Sequence, residues 1–166
     1  MPAKPRLDKA AIETGLPEDT ALKAWEAILS ALKPIAGKDH DAAIRQFPPE
    51  WRAAYSTFWL QCEVNNGGHH QFFWNTEGAW NAETQDGLEF IDAWPFVRIF
   101  TEARKIYGAH DYADEKASSG NSWEGFTAAY REKRMKALDT EFYKQPKNIE
   151  TLLGEFIRSH PALFTQ

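Results

Sequence analysis

Apolar residues recur at intervals of three and four along most of this chain, and no segment alternates apolar and polar residues as a half-buried strand does. The spacing predicts helices that begin near Pro17, Pro49 and Pro95, where proline occupies the first helical turn. Asn148 is expected to cap a last helix, which Pro161 ends. We therefore predict an all-α fold, a compact single-domain array of six to seven helices.

The chain is predicted to form one domain. Its 166 residues are enough for a single buried core, and no internal repeat divides them. Residues 1–16 lack a regular apolar pattern and are predicted to form a flexible N-terminal arm, so the helical domain covers residues 17–166. Towards the C-terminus, Asn121 and Glu124 match a capping box before a helix expected to reach about Tyr143.

Two asparagines and two glycines, residues 65–68, interrupt the helix predicted after Pro49, and we call this segment the corner. Asparagine and glycine tolerate left-handed backbone angles, so the chain is expected to turn here into a short helix over residues 71–74. The side-chain amides around the corner have two interpretations: they satisfy backbone groups at the helix ends, or they bind a ligand. The first is favoured, because polar side chains at helix ends usually serve that role.

Charge is distributed unevenly along the chain. Between Arg52 and Arg98 there is no lysine or arginine, whereas the same window holds six acidic residues. On a helix predicted over residues 83–93, several of these carboxylates point to one side, and Leu88 and Ile91 point to the other. We use the name acidic face for five residues: Glu77, Glu83, Asp86, Glu89 and Asp92.

The acidic face also has two interpretations. Charged helix faces commonly meet only solvent, but the absence of interleaved lysines favours a surface that binds a basic partner. The net charge of −5 argues against direct binding of nucleic acid or of an anionic membrane. No stretch approaches the ~20 apolar residues of a membrane span, and we predict a cytoplasmic protein. A basic cluster could meet the acidic face between subunits: Arg131, Lys133, Arg134 and Lys136.

No residue set predicts catalysis or metal binding. His69 and His70 are adjacent, so on a helix they would point about 100° apart and could not easily chelate one ion together. His40 and His110 are distant in sequence. The single cysteine, Cys62, lies on an apolar helix face, and we expect it to be buried and unreactive. We therefore predict no catalytic residues, no metal, no cofactor and no enzymatic activity.

The segment from Tyr55 to Asn75 resembles the signature of a bacterial all-helical domain family, largely of unknown function, whose best-known member is a dimeric DNA-mimic protein. The resemblance extends over about residues 50–164, with His69 at a position where the family usually has phenylalanine. Later matching pieces include Gly87 in the acidic helix and residues 138–143. The motif positions, which we predict to be structural, are Asn65, Asn66, Gly67, Gly68, Gln71, Phe72, Phe73 and Asn75.

The resemblance implies a homodimer with an all-α fold and, at its most specific, a surface that resembles DNA and sequesters a basic DNA-binding protein or regulator. Carboxylates would then stand in for phosphates and attract the lysines and arginines of the partner. One alternative is a small-molecule-binding or catalytic domain built around residues 65–71. Another is an immunity-type protein that neutralises a toxin.

Overall fold

The computed structural model describes residues 3–35, 39–109, 116, 120, 122–129 and 133–165. These residues contain ten α-helices, one 3₁₀ turn and no strand, so the all-α prediction is confirmed, with more short helices than expected. None of the described helices is long and apolar enough to cross a membrane. In chain order the helices are α1 (Lys9–Glu13), α2 (Pro17–Leu32), α3 (His40–Ile44), α4 (Pro49–Thr76), α5 (Asn81–Phe90), α6 (Trp94–Gly108), α7 (Trp123–Ala129), α8 (Lys133–Tyr143), α9 (Ile149–Ser159) and α10 (Pro161–Phe164).

The 28-residue helix α4 lies at the centre of the fold. It packs against α2, α5, α8, α9 and α10, while α6 packs against α5 and α8. Burying a large apolar side chain stabilises a fold by roughly 1.5–3 kcal/mol, and this core is rich in aromatic rings. Rings that are almost completely buried include Trp51, Phe72, Phe73, Trp80, Phe96 and Phe100.

The predicted helix starts are confirmed. Pro17 and Pro49 are the first residues of α2 and α4, and Pro95 is the second residue of α6. The Asn148 side chain accepts a hydrogen bond from the backbone N–H of Thr151 at 2.8 Å and so caps α9. The predicted capping box begins at position 121, which lies outside the described residues.

The apolar side of a helix is not always the buried side in this fold. In α2, Leu22 and Leu29 are 47% and 44% exposed, because this helix buries Ile28, Leu32 and several alanines. The prediction that Cys62 is buried is wrong, since the residue is exposed. On this part of α4 the interior side is taken by Leu60 and Val64, so the apolar stripe does not continue to the cysteine.

The N-terminal residues contact the C-terminal end of the domain. Leu7 and Ile12 are buried in the same core as α4, and the backbone N–H of Leu7 donates to the carbonyl of Phe164 at 2.8 Å. Arg158 donates hydrogen bonds to three successive carbonyls that precede α2, those of residues 14–16. A flexible arm over residues 1–16 stays a prediction.

Candidate functional site

The acidic face is carried by α5 and by the turn that follows it. Asp86 and Glu89 are exposed on the helix, but α5 ends at Phe90, three residues earlier than predicted. Asp92 has a left-handed φ of 55°, and the N–H of Ala93 donates to the carbonyl of Leu88 at 2.9 Å. This is a Schellman turn, in which the left-handed residue ends the helix. Asp92 is therefore fixed by the turn rather than by helical spacing.

The close approach of α5 to α4 explains the glycine in the acidic helix. A Cβ at Gly87 would lie 2.6 Å from Ser56 Oγ and 3.2 Å from the Cα of Ala53, so only glycine fits at this helix crossing. Ser56 Oγ donates to the carbonyl of Glu83 at 3.1 Å and ties the two helices together. Leu88 is fully buried, as predicted, and the carboxylates are left on the outer side.

Cations from other parts of the chain pair with two residues of the acidic face. Arg45 Nε lies 2.7 Å from Glu83 Oε1, and this hydrogen bond raises the pKa of the guanidinium. Lys116 Nζ lies 2.8 Å from Glu77 Oε1. Arg45 and Lys116 both lie outside the window between Arg52 and Arg98, which contains no lysine or arginine. The acidic face is consequently neutralised at one end.

The other three carboxylates, Asp86, Glu89 and Asp92, are exposed, and no lysine or arginine of the described residues lies within 4.0 Å of them. Glu89 Oε1 accepts a hydrogen bond from Gln85 Nε2 at 2.8 Å, which leaves its charge in place. Arg52 and Asp86 line the same groove between α4 and α5 without forming an ion pair. This part of the surface can attract cationic groups from outside the molecule.

The corner is a kink in α4, at which one helical segment ends and a second begins, as predicted. Gly67 and Gly68 are the two residues of α4 with non-helical backbone angles, and helical structure resumes after them. Gly68 has φ 74° and ψ −179°, a combination that is essentially restricted to glycine. A Cβ on Gly67 would collide with the Gln71 side chain, which folds over it. The predicted change of direction is therefore confirmed.

Polar side chains around the corner are largely occupied by partners within the fold. Gln61 Nε2 donates to Asn65 Oδ1 at 2.9 Å, while Gln61 Oε1 accepts from the backbone N–H of Ile149 at 3.0 Å. Asn75 Nδ2 donates to Glu63 Oε2 at 2.8 Å across the kink. Asn66 is exposed, and neither of the two described surface grooves is lined by corner residues. This geometry favours a structural role.

Comparison with known proteins identifies the family of this chain. A family model described as DMP19-like protein matches residues 45–160, which include the corner, the acidic face and α8. The chain belongs to the DMP19-like protein family. No curated protein and no solved structure matches the chain.

A buried histidine–aspartate pair joins the corner to α8 in this DMP19-like chain. Asp139 Oδ1 lies 2.7 Å from His69 Nδ1 and accepts the backbone N–H of the same residue at 2.8 Å. The Tyr143 hydroxyl donates to the carbonyl of Val64 on the other side of the kink. The family resemblance covers both the corner and residues 138–143, but nothing in the sequence indicated that Asp139 would pair with a histidine 70 positions away.

The neighbouring His70 is also buried in the DMP19-like domain, where burial lowers its pKa to about 4 despite a hydrogen bond with the Phe126 backbone. A neutral, buried imidazole at physiological pH packs here against the Phe126 ring, 4.8 Å away between centroids. No group of three or more histidine, cysteine, aspartate or glutamate residues in the described part of the chain could hold a metal ion. His110 lies outside the described residues.

Proposed function

We propose that this DMP19-like protein is a non-enzymatic, dimeric DNA mimic, which binds a basic DNA-binding protein through the open part of its acidic face. The observation that carries the proposal is the exposure of Asp86, Glu89 and Asp92, which form no ion pair with the lysines and arginines that the structure describes. Membership of the DMP19-like protein family, whose best-known member is a DNA mimic, supports the same role.

The physical basis is the replacement of phosphates by carboxylates. A DNA-binding protein presents lysine and arginine side chains that neutralise phosphates, and fixed carboxylates attract the same side chains. The net charge of −5 is modest, so the attraction depends on a local patch rather than on the field of the whole protein. Exposed charges are screened within about 10 Å at 0.1 M salt, and binding is expected to weaken as salt increases.

Two alternative functions are a catalytic or small-molecule site at the corner and an immunity-type protein that binds through the acidic face. A catalytic or small-molecule site at the corner is disfavoured, because Asn65 and Gln61 are already hydrogen-bonded within the fold and both histidines are buried. An immunity-type protein would use the same carboxylates against a basic toxin. The identity of the captured partner distinguishes that role from DNA mimicry.

The test uses the full-length protein as bait in an extract of its native host. The wild type is compared with the triple variant Asp86→Asn, Glu89→Gln and Asp92→Asn, and retained proteins are identified by mass spectrometry at low and high salt. We expect the wild type to retain a DNA-binding protein at low salt and to release it at high salt. The triple variant should retain little of it.

A matched control changes the overall charge by the same amount on other elements. Asp8, Glu26 and Glu124 are exposed, and their combined replacement by amides leaves the acidic face intact. This control variant should behave as the wild type does. Equal loss of binding in both triple variants would mean that only net charge matters, and unchanged binding in the first variant would reject the acidic face.

A further inference from the structure

Trp94 is an exposed tryptophan beside the acidic face. The residue is 57% exposed, whereas the other tryptophans whose burial the structure describes are buried or half-buried. No ring contact, hydrogen bond or ion pair joins the indole to the described residues. A large apolar ring left in water is unfavourable for a monomer, and exposed aromatic residues commonly mark binding sites.

The backbone around Trp94 is rigid. It is the first residue of α6, directly after the Schellman turn, and its N–H donates to the carbonyl of Asp92 at 2.9 Å. Pro95 restricts the backbone at the next position. Phe90, on the other side of the turn, is 37% exposed and packs against Phe156 with 5.3 Å between ring centroids. The turn therefore presents two aromatic side chains next to exposed carboxylates.

We propose that the Trp94 indole binds a lysine or arginine side chain of the basic partner, through a cation–π contact beside Asp92. This inference rests on the proposed function and adds a short-range contact to the electrostatic attraction. A cation on the face of a tryptophan ring is stabilised by the ring quadrupole, and the contact strengthens when water is excluded. Rigid tryptophans are also frequent energetic centres of protein interfaces.

The local charge favours a basic partner over a second copy of this chain. A two-fold interface brings the same patch of both subunits together. Pairing through Trp94 would place Asp92 and Glu89 of one copy near the same carboxylates of the other, with no described cation to compensate them. Arg98, the nearest cation in sequence, already pairs with Glu141 of its own chain. Such a dimer would be opposed by like-charge repulsion.

The test uses an octa-arginine peptide as the probe and the full-length, ¹⁵N-labelled protein. Two variants separate the aromatic contact from general apolar contact: Trp94→Leu keeps apolar volume but removes the ring, and Trp94→Phe keeps a ring. We expect Trp94→Leu to weaken binding by about 3-fold to 30-fold and Trp94→Phe to weaken it less. The indole N–H signal that Trp94→Phe removes should shift during titration of the wild type.

Leu22→Ala is the matched control, because it removes another exposed apolar side chain, on α2. It should bind the peptide as the wild type does. If Trp94→Leu also binds as the wild type while neutralising Asp86, Glu89 and Asp92 weakens binding, this inference is wrong and the proposed function stands. If that neutralisation leaves binding unchanged, the proposed function fails as well. A lower mass of Trp94→Leu in sedimentation equilibrium would place the ring in a self-association interface and overturn the inference.

Discussion

Replacing Gly68 with alanine tests whether the corner is an element of architecture. The residue has φ 74° and ψ −179°, where an L-amino acid is strained by contact between its Cβ and the backbone. The kink has little freedom to relax, because hydrogen bonds tie down both of its sides. Asn75 binds Glu63 across it, and the N–H of His69 donates to Asp139 at 2.8 Å. The strain should therefore appear as lost stability.

The expected loss is about 1–3 kcal/mol, the usual cost of holding a non-glycine residue in such a region. For a domain of this size, each kcal/mol lowers Tm by about 2–4 °C, so the Gly68→Ala variant should melt roughly 2–12 °C below the wild type. Urea unfolding followed by circular dichroism measures the free energy of unfolding, and a thermal scan measures Tm.

Gly67→Ala is the internal control for this experiment. Its φ of −159° is an extended angle that any residue adopts, and the added methyl group meets the Gln71 side chain, whose amide end can turn away while its Cβ, 3.0 Å from the added atom, must shift slightly. We expect this variant to lose less than about 1 kcal/mol. If Gly68→Ala is as stable as the wild type, or if both alanines cost the same, the account of the corner is incorrect.

Three further predictions concern other parts of the fold. The pKa of His70 is lowered to about 4 by burial, so the unfolded chain binds a proton first as pH falls; stability should decline by roughly 1–2 kcal/mol between pH 7 and pH 5. Urea unfolding of the wild type and of His70→Phe measures this, and equal slopes in both would refute it. Gly87→Ala should destabilise by about 1–3 kcal/mol through overpacking against Ser56, with partial recovery in the double variant that also carries Ser56→Ala; full stability of the single variant would contradict the helix crossing. Arg45→Gln removes the cation that neutralises Glu83, so peptide binding measured by calorimetry should become tighter and more salt-sensitive, and weaker binding would be inconsistent with an electrostatic acidic face.

Local signals in the sequence were sufficient for the architecture. Prolines at the first turns located α2, α4 and α6, because proline fixes a helical φ and needs no hydrogen bond there. The paired glycines of residues 67–68 located the kink. The end of α5 was misjudged, since aspartate enters the left-handed region far less often than glycine and gave no warning at Asp92.

Long-range pairing was beyond what the sequence could indicate. A window without lysine and arginine suggested an open acidic face, yet Arg45 and Lys116 reach Glu83 and Glu77 from other elements. Which charges meet depends on tertiary packing, and that is not encoded in local spacing. The exposure of Trp94 has the same cause, because nothing in the local sequence distinguishes it from Trp51 and Trp80, which the fold buries.

The central claim is that carboxylates of the acidic face act in place of DNA phosphates. Its most direct test is a competition experiment. The DNA-binding protein that the wild type retains is first bound to a fluorescently labelled DNA duplex, and the wild-type protein is then added as the competitor. Fluorescence anisotropy should fall as the wild-type DMP19-like protein is added, because partner and DNA separate. The triple variant Asp86→Asn, Glu89→Gln and Asp92→Asn should leave the anisotropy high. Equal displacement by both proteins, or binding without release of DNA, would contradict the claim.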